Sequence, residues 1–188
     1  MLSPVVSLGA RPDRSERCLR HSVKRVYRII YARYLQDHLR PRAHVGKQRT
    51  RILFLCTGNS CRSQMAEGWA RALAGPQIEA RSAGIEAHGK NPRAIAAMKE
   101  AGIDISQQES IRLTPDMLEW ADHVVTVCGH ADEHCPVLPS RTSKEHWPLG
   151  DPAKARGSED KVMTVFRATR DEIEQRVRTL MDRQWTNE

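Results

Sequence analysis

The sequence predicts an α/β fold: three layers around a central four-stranded parallel sheet, with an N-terminal helical extension. Three observations carry this reading. From residue 51 onward, short apolar runs of strand length alternate with longer segments of helical period. Glycine, proline and helix-capping residues punctuate the junctions. The charge divides at the same place: residues 1–51 hold 13 Lys/Arg against 3 Asp/Glu, and residues 52–188 hold 17 against 20. The net charge of +7 therefore resides in the leader, and nucleic acid is not expected as a partner of the rest.

Residues 1–48 form a basic extension. Val23, Val26, Tyr27, Ile30, Tyr31, Tyr34 and Leu35 fall on one stripe of a helix over 16–39, which Pro41 helps to stop. Three readings fit it: a helix docked on the domain or a poorly ordered leader, a basic surface helix on an anionic membrane, and an Arg-rich targeting segment. The first is expected, and membrane contact is not. "RPRAHVGKQR" at 40–49 reads as a linker, so the second domain spans 49–188.

In that domain "RILFLC" is a buried strand, and "CRSQMAEGWARALA" a helix ended by Gly75-Pro76. "IEARSAG" at 78–84 alternates as a second strand. "NPRAIAAMKEAG" at 91–102 is a helix, with Pro92 in its first turn and Gly102 past its end. "TPDMLEWA" starts another, with Thr114 as N-cap. "DHVVTVC" at 122–128 is the third strand, and a short fourth lies near "EHWPL". Residues 159–184 close the chain as a helix with Val162, Val165, Phe166, Thr169, Ile173, Val177, Leu180 and Met181 facing in.

Parallel sheets bind ligands beyond the carboxyl ends of their strands. Cys56 and Cys128 both stand at such ends, which puts two thiols on one rim. The five cysteines are sparse and odd in number, unlike a secreted disulfide scaffold. They imply a reducing, cytoplasmic setting. No run of 18 apolar residues predicts a transmembrane helix, and "MLSPVVSLGA" is weakly apolar for a secretory signal. A monomer is expected.

The stretch "CTGNSCRS" at 56–63 carries the chemistry. A strand–loop–helix with glycine and asparagine in the loop turns backbone N–H groups inward and makes an anion nest at the helix N-terminus. The Gly-Lys-Ser/Thr ending of a nucleotide loop is missing. The loop Thr57, Gly58, Asn59, Ser60, Cys61 and Arg62 is the oxyanion-binding set, and the planar fork of Arg62 grips two oxygens at once. The same field favours the thiolate of Cys56, the nucleophilic form, and Ser63 is placed to donate to it. The plainer alternative is a buried strand-end cysteine before a helix cap. Cys61 reads as loop packing rather than as a nucleophile.

"GDPA" supplies Asp151, a general acid for an oxygen leaving group, or else a plain Asp-Pro turn. "CGHADEHC" has three readings. Cys128, His130, His134 and Cys135 could hold zinc, although eight residues crowd the four ligands. The cysteines could be inert. A thiol relay is the third: Cys128 attacks a bond at Cys56, then Cys135 attacks Cys128. The mobile polar loop expected here suits the relay.

Together these features resemble the thioredoxin-coupled arsenate reductases, which share the low-molecular-weight tyrosine phosphatase fold. The likeness runs from Arg51 to the C-terminal helix. It rests on "FLCTGNSCRSQMAEGWA", "SAGIEAHGKNPRAIAAMKEAGIDIS", "VVTVCGHADEHCPVLP" and "KEHWPLGDPA". It implies that arsenate binds loop 56–62, that Cys56 attacks arsenic, and that Asp151 helps an oxygen leave. It further implies a Cys56–Cys128 disulfide, then a Cys128–Cys135 disulfide reduced by thioredoxin, with no bound cofactor. Some relatives hold potassium beside the loop. Asn59, Glu67 and Ser82 match that site, but the position of its further acidic ligand is Ile111 here.

Two rivals remain. A low-molecular-weight protein tyrosine phosphatase would use Cys56, Arg62 and Asp151 alone, and walls its pocket with aromatics. All three tyrosines here lie at 27–34, outside the domain. A non-catalytic oxyanion or metal sensor would use "CGHADEHC", with the basic leader as its contact to nucleic acid or membrane.

Overall fold

The computed structural model describes residues 49–185. The helix expected over 16–39, with the rest of the leader, lies outside the described residues. Residues Gln48–Glu188 group as one compact unit.

Four strands build the sheet: β1 (Thr50–Cys56), β2 (Ile78–Gly84), β3 (His123–Thr126) and β4 (Ser143–His146). Five α-helices connect or flank them: α1 (Arg62–Leu73), α2 (Pro92–Glu100), α3 (Pro115–Trp120), α4 (Gly129–Glu133) and α5 (Glu159–Trp185). A short 3₁₀ turn covers Pro152–Lys154. All strand pairs are parallel, in the order β2-β1-β3-β4. The chain first moves from β1 to β2, then crosses back over β1 to β3. That reversal is a topological switch point, and it lies between the carboxyl ends of β1 and β3. With right-handed connections it also puts helices on both faces of the sheet.

β1 is central, so it is apolar on both faces: Ile52, Leu53, Phe54 and Leu55 are all fully buried. Phe54 meets Trp147 from beyond β4 at 5.8 Å between ring centres. At the opposite end of the sheet from the switch point, the Arg51 fork donates twice to the Asp122 carboxylate, at 3.1 Å each, and ties β1 to the start of β3. α1 packs on α5, and α5 also packs on α2. The α5 stripe Val162, Phe166, Thr169, Ile173, Val177, Leu180 and Met181 is buried as its period predicts.

Several boundaries differ from the sequence reading. Val165 is 41% exposed, because it sits at the edge of the α5 stripe. β3 ends at Thr126, not Cys128. The Thr126 hydroxyl there donates to Asp132 at 2.8 Å, which starts the turn into α4. β4 begins earlier than expected, at Ser143. Thr114 holds the N-cap position of α3 but makes no side-chain cap hydrogen bond. The segment read as a mobile polar loop after β3 is the helix α4, and Cys128 is its N-cap.

Candidate active site

Residues 56–62 run from the carboxyl end of β1 to the first residue of α1, at the switch point. The loop's carbonyls are all engaged. Cys56 O accepts from Ile85 N–H (3.0 Å), Thr57 O from Glu86 N–H (2.8 Å) and Gly58 O from His88 N–H (2.9 Å). Asn59 O accepts from the Gln64 amide at 2.9 Å. Ser60 O accepts from Asn91 N–H at 3.2 Å, and Cys61 O from Met65 N–H at 2.9 Å. The N–H groups of Gly58, Ser60 and Cys61, by contrast, have no protein partner among the described residues. A loop with carbonyls tied off and amides unspent is a nest for an anion. The axis of α1 adds its positive end.

Segment 85–88, just after β2, therefore shapes the loop, and sequence reasoning assigned it no role. The signal present was Gly84. A Cβ there would lie 2.1 Å from Glu86 O and 2.7 Å from Asn59 N, so only glycine lets strap and loop approach this closely.

At the bottom of the nest lies Cys56, 3% exposed. Its sulfur accepts from Asn59 N–H at 3.1 Å and stands 2.9 Å from Ser63 Oγ. Asn59 makes this tight turn with a φ of 45°, a left-handed value that asparagine tolerates better than most residues. Its side-chain amide donates to Ser63 Oγ (3.0 Å) and to Ser82 Oγ (2.8 Å). Because Ser63 already accepts from Asn59, its own proton is free for sulfur. Two donors thus converge on Cys56, the arrangement that suits a thiolate. Ser82 donates in turn to Glu67 at 2.6 Å. Burial pushes the Glu67 carboxyl up, against the opposing pull of the Ser82 hydrogen bond and of Arg71.

Arg62 is 7% exposed. One arm donates to Leu149 O at 3.0 Å, and the other lies 3.4 Å from Asp151. Its Nε is buried with no hydrogen-bond partner among the described residues, a donor left for a ligand. Asp151 also caps the 3₁₀ turn through Ala153 N–H at 3.2 Å. Arginine and carboxyl therefore face one cavity of about 430 Å³. Cys56, Thr57, Gly58, Ser60, Cys61, His88, His130 and Lys154 complete much of its wall. Among the described residues, no Phe, Tyr or Trp lines it. Sequence reasoning assigned His88 and Lys154 no role, and it considered His130 only as a zinc ligand. Cys61 stays buried, and burial pushes its thiol up to about 11, as befits a packing residue.

Cys128 joins this site. Thr57 Oγ1 is 3.4 Å from its sulfur, which also accepts from Ala131 N–H at 3.4 Å as the cap of α4. Cys135 lies two residues past α4, partly buried, and burial raises its thiol. Cys56, Cys61, Cys128 and Cys135 are all free thiols. His130 and His134 stack on each other at 4.1 Å. Among the described residues, no three His, Cys, Asp or Glu side chains converge as a metal site.

A family model for low molecular weight phosphotyrosine protein phosphatases matches residues 51–187. The chain belongs to that family. Within it, a protein named arsenate reductase from Halalkalibacterium halodurans is 54% identical over 131 residues, covering 70% of this chain and 94% of the relative. Among solved structures, YwlE arginine phosphatase from Geobacillus stearothermophilus matches with a TM-score of 0.63 and 31% identity, covering 73% of this chain and 94% of that one. An arsenate reductase in its phosphate-binding state matches with a TM-score of 0.60 and 36% identity, over 71% and 98%. A thioredoxin-dependent arsenate reductase from Corynebacterium glutamicum matches with a TM-score of 0.61 and 27% identity, over 77% and 66%. The fold expected from the sequence is thus the fold of this family.

Proposed function

We propose that the chain reduces arsenate to arsenite by a three-cysteine relay, with thioredoxin as electron donor. The observation that carries this reading is Cys128, whose sulfur lies against Thr57 of the oxyanion loop, with Cys135 seven residues further on. The relatives named arsenate reductase and the thioredoxin-dependent neighbour support it.

The steps balance as follows. Arsenate enters the nest of residues 57–62 and the Arg62 fork. The Cys56 thiolate attacks arsenic, and one oxygen leaves as water with a proton from Asp151. The Cys128 thiolate then attacks the Cys56 sulfur. A Cys56–Cys128 disulfide forms, the sulfur–arsenic bond breaks, and its electron pair stays on arsenic, so arsenic(V) becomes arsenic(III). Cys135 attacks Cys128, which frees Cys56 and leaves a Cys128–Cys135 disulfide for thioredoxin to reduce. For this Cys128 leaves the cap of α4, so the helix unwinds at its first turn. We place this chemistry in residues 49–188, in the reducing cytoplasm, and assign none of it to 1–48.

The cavity has no Phe, Tyr or Trp in its wall among the described residues, which argues against the tyrosine phosphatase alternative, whose pocket holds a phenyl ring between such side chains. The test is arsenate-dependent oxidation of NADPH in the presence of thioredoxin and thioredoxin reductase. Turnover that needs all three components is expected. High steady turnover of a phosphotyrosine analogue, unchanged by Cys128→Ser and without arsenate-dependent oxidation, would overturn the reading.

A further inference from the structure

The network beneath Cys56 ends at the protein surface, on Arg71. From the nucleophile outward it runs Ser63, Asn59, Ser82, Glu67. The last contact is Arg71 Nη2 to Glu67 Oε1, at 2.5 Å. Arg71 is one turn beyond Glu67 on α1, and its Nε also donates to Ala80 O of β2 at 3.3 Å. The guanidinium is thus held at two points although its side chain is 57% exposed, while that of Glu67 is 7% exposed.

The family resemblance implies a potassium site at Asn59, Glu67 and Ser82, and the residues present here do not fit that ion. Asn59 Oδ1, the one oxygen of that side chain, accepts from Ile111 N–H at 2.8 Å. Ser82 Oγ spends its proton on Glu67 and accepts from Asn59. Glu67 has one oxygen on Ser82 and the other on Arg71. None of these oxygens is left without a partner. The fourth position, Ile111, brings no carboxylate.

From Ile111 through Asn59 and Ser82 to Glu67 each hydrogen bond has one direction, and Ser63, which accepts from Asn59, has its own proton free for the Cys56 sulfur. The Ile111 N–H orients the Asn59 amide so that its NH₂ faces Ser82 and Ser63. Ser82 accepts from Asn59 and donates its hydroxyl hydrogen bond to Glu67. A buried carboxylate stripped of its cation is costly, and it would pull its neighbours toward other partners. We propose that Arg71 is a positioning residue for Cys56: it supplies the charge opposite Glu67 that locks Asn59 and Ser63 onto the sulfur, in place of a metal ion. The inference rests on Cys56 being the nucleophile, as in the proposed function. It depends on neither arsenate nor the electron donor. Arg81 is the other cation near Glu67; it is engaged by Glu79 at 2.8 Å and lies over the Trp120 ring.

The test is the rate of Cys56 alkylation by iodoacetamide, followed by peptide mass spectrometry at one pH, in potassium, sodium and tetramethylammonium chloride. The wild-type rate is expected to be the same in all three salts. Arg71→Gln should lower it roughly five- to tenfold, about 1 kcal/mol, and Arg71→Lys should restore most of it. In a Glu67→Gln background, Arg71→Gln should have no further effect, because the two act in one chain. Melting temperatures of the variants separate this from loss of fold. A wild-type rate that rises only in potassium would overturn the proposal. So would an Arg71→Gln rate equal to wild type while Glu67→Gln slows alkylation. A failure here leaves the arsenate assay untouched, and a failure there leaves this test readable.

Discussion

Arg62 is the residue whose chemistry is hardest to replace. Its two arms take a backbone carbonyl and a carboxylate, and its buried Nε has no partner among the described residues. Lysine keeps the charge but loses the planar fork. Arg62→Lys should therefore lower kcat/KM for the oxyanion by about 10²-fold while the melting temperature barely moves. An effect on melting as large as that on activity would make Arg62 a structural residue instead. At this scale the sequence was legible where spacing constrains chemistry. The Cys56-to-Arg62 interval, Ser63 and Asp151 could be read as one site, and the structure brings Cys56, Arg62 and Asp151 to one cavity, with Ser63 buried against the Cys56 sulfur. His88, His130 and Lys154 could not be placed there, because their approach to the loop is set by tertiary contacts and not by local pattern.

At the scale of elements, the oxyanion loop is shaped from outside by segment 85–88. Gly84 and Gly58 make the point together. The three atoms nearest a Cβ on Gly58 all belong to the His88 ring, a side chain at 2.2 Å that can rotate away. A Cβ on Gly84 meets the backbone of Glu86, Asn59 and Gly58, which cannot. Gly84→Ala should thus cost about 1–3 kcal/mol of stability and weaken oxyanion binding, with Gly58→Ala the milder change in thermal melts. The reverse order would show that the strap yields more easily than the ring. β1 and β2 were readable because apolar runs and alternation mark strands well. α4 was not, since five residues are too few to show a helical period. Its existence changes the picture of Cys128, which begins as a helix cap and not in a loose loop.

Across the whole molecule, the sheet is pinned at its far end by His123 at the start of β3. His123 Nδ1 lies 2.5 Å from Ser143 Oγ of β4. Burial pushes the imidazole below its ordinary value of 6.5, against a smaller opposite pull from Glu145. The unfolded chain therefore takes up this proton first. The stability at stake is fully present above about pH 6.5 and is lost as pH falls toward the folded value. Melting temperature should drop between pH 7 and pH 5, and His123→Gln should flatten that drop. An identical slope in the variant would remove His123 from the account.

The relay is the central claim, and one trapped species tests it most directly. Cys135→Ser leaves the first two thiol steps intact and blocks the third. After one turnover with arsenate, mass spectrometry of the non-reduced protein should show a Cys56–Cys128 disulfide and one equivalent of arsenite released. Arsenite released at the wild-type steady rate with Cys56 and Cys128 both found as free thiols would contradict the relay.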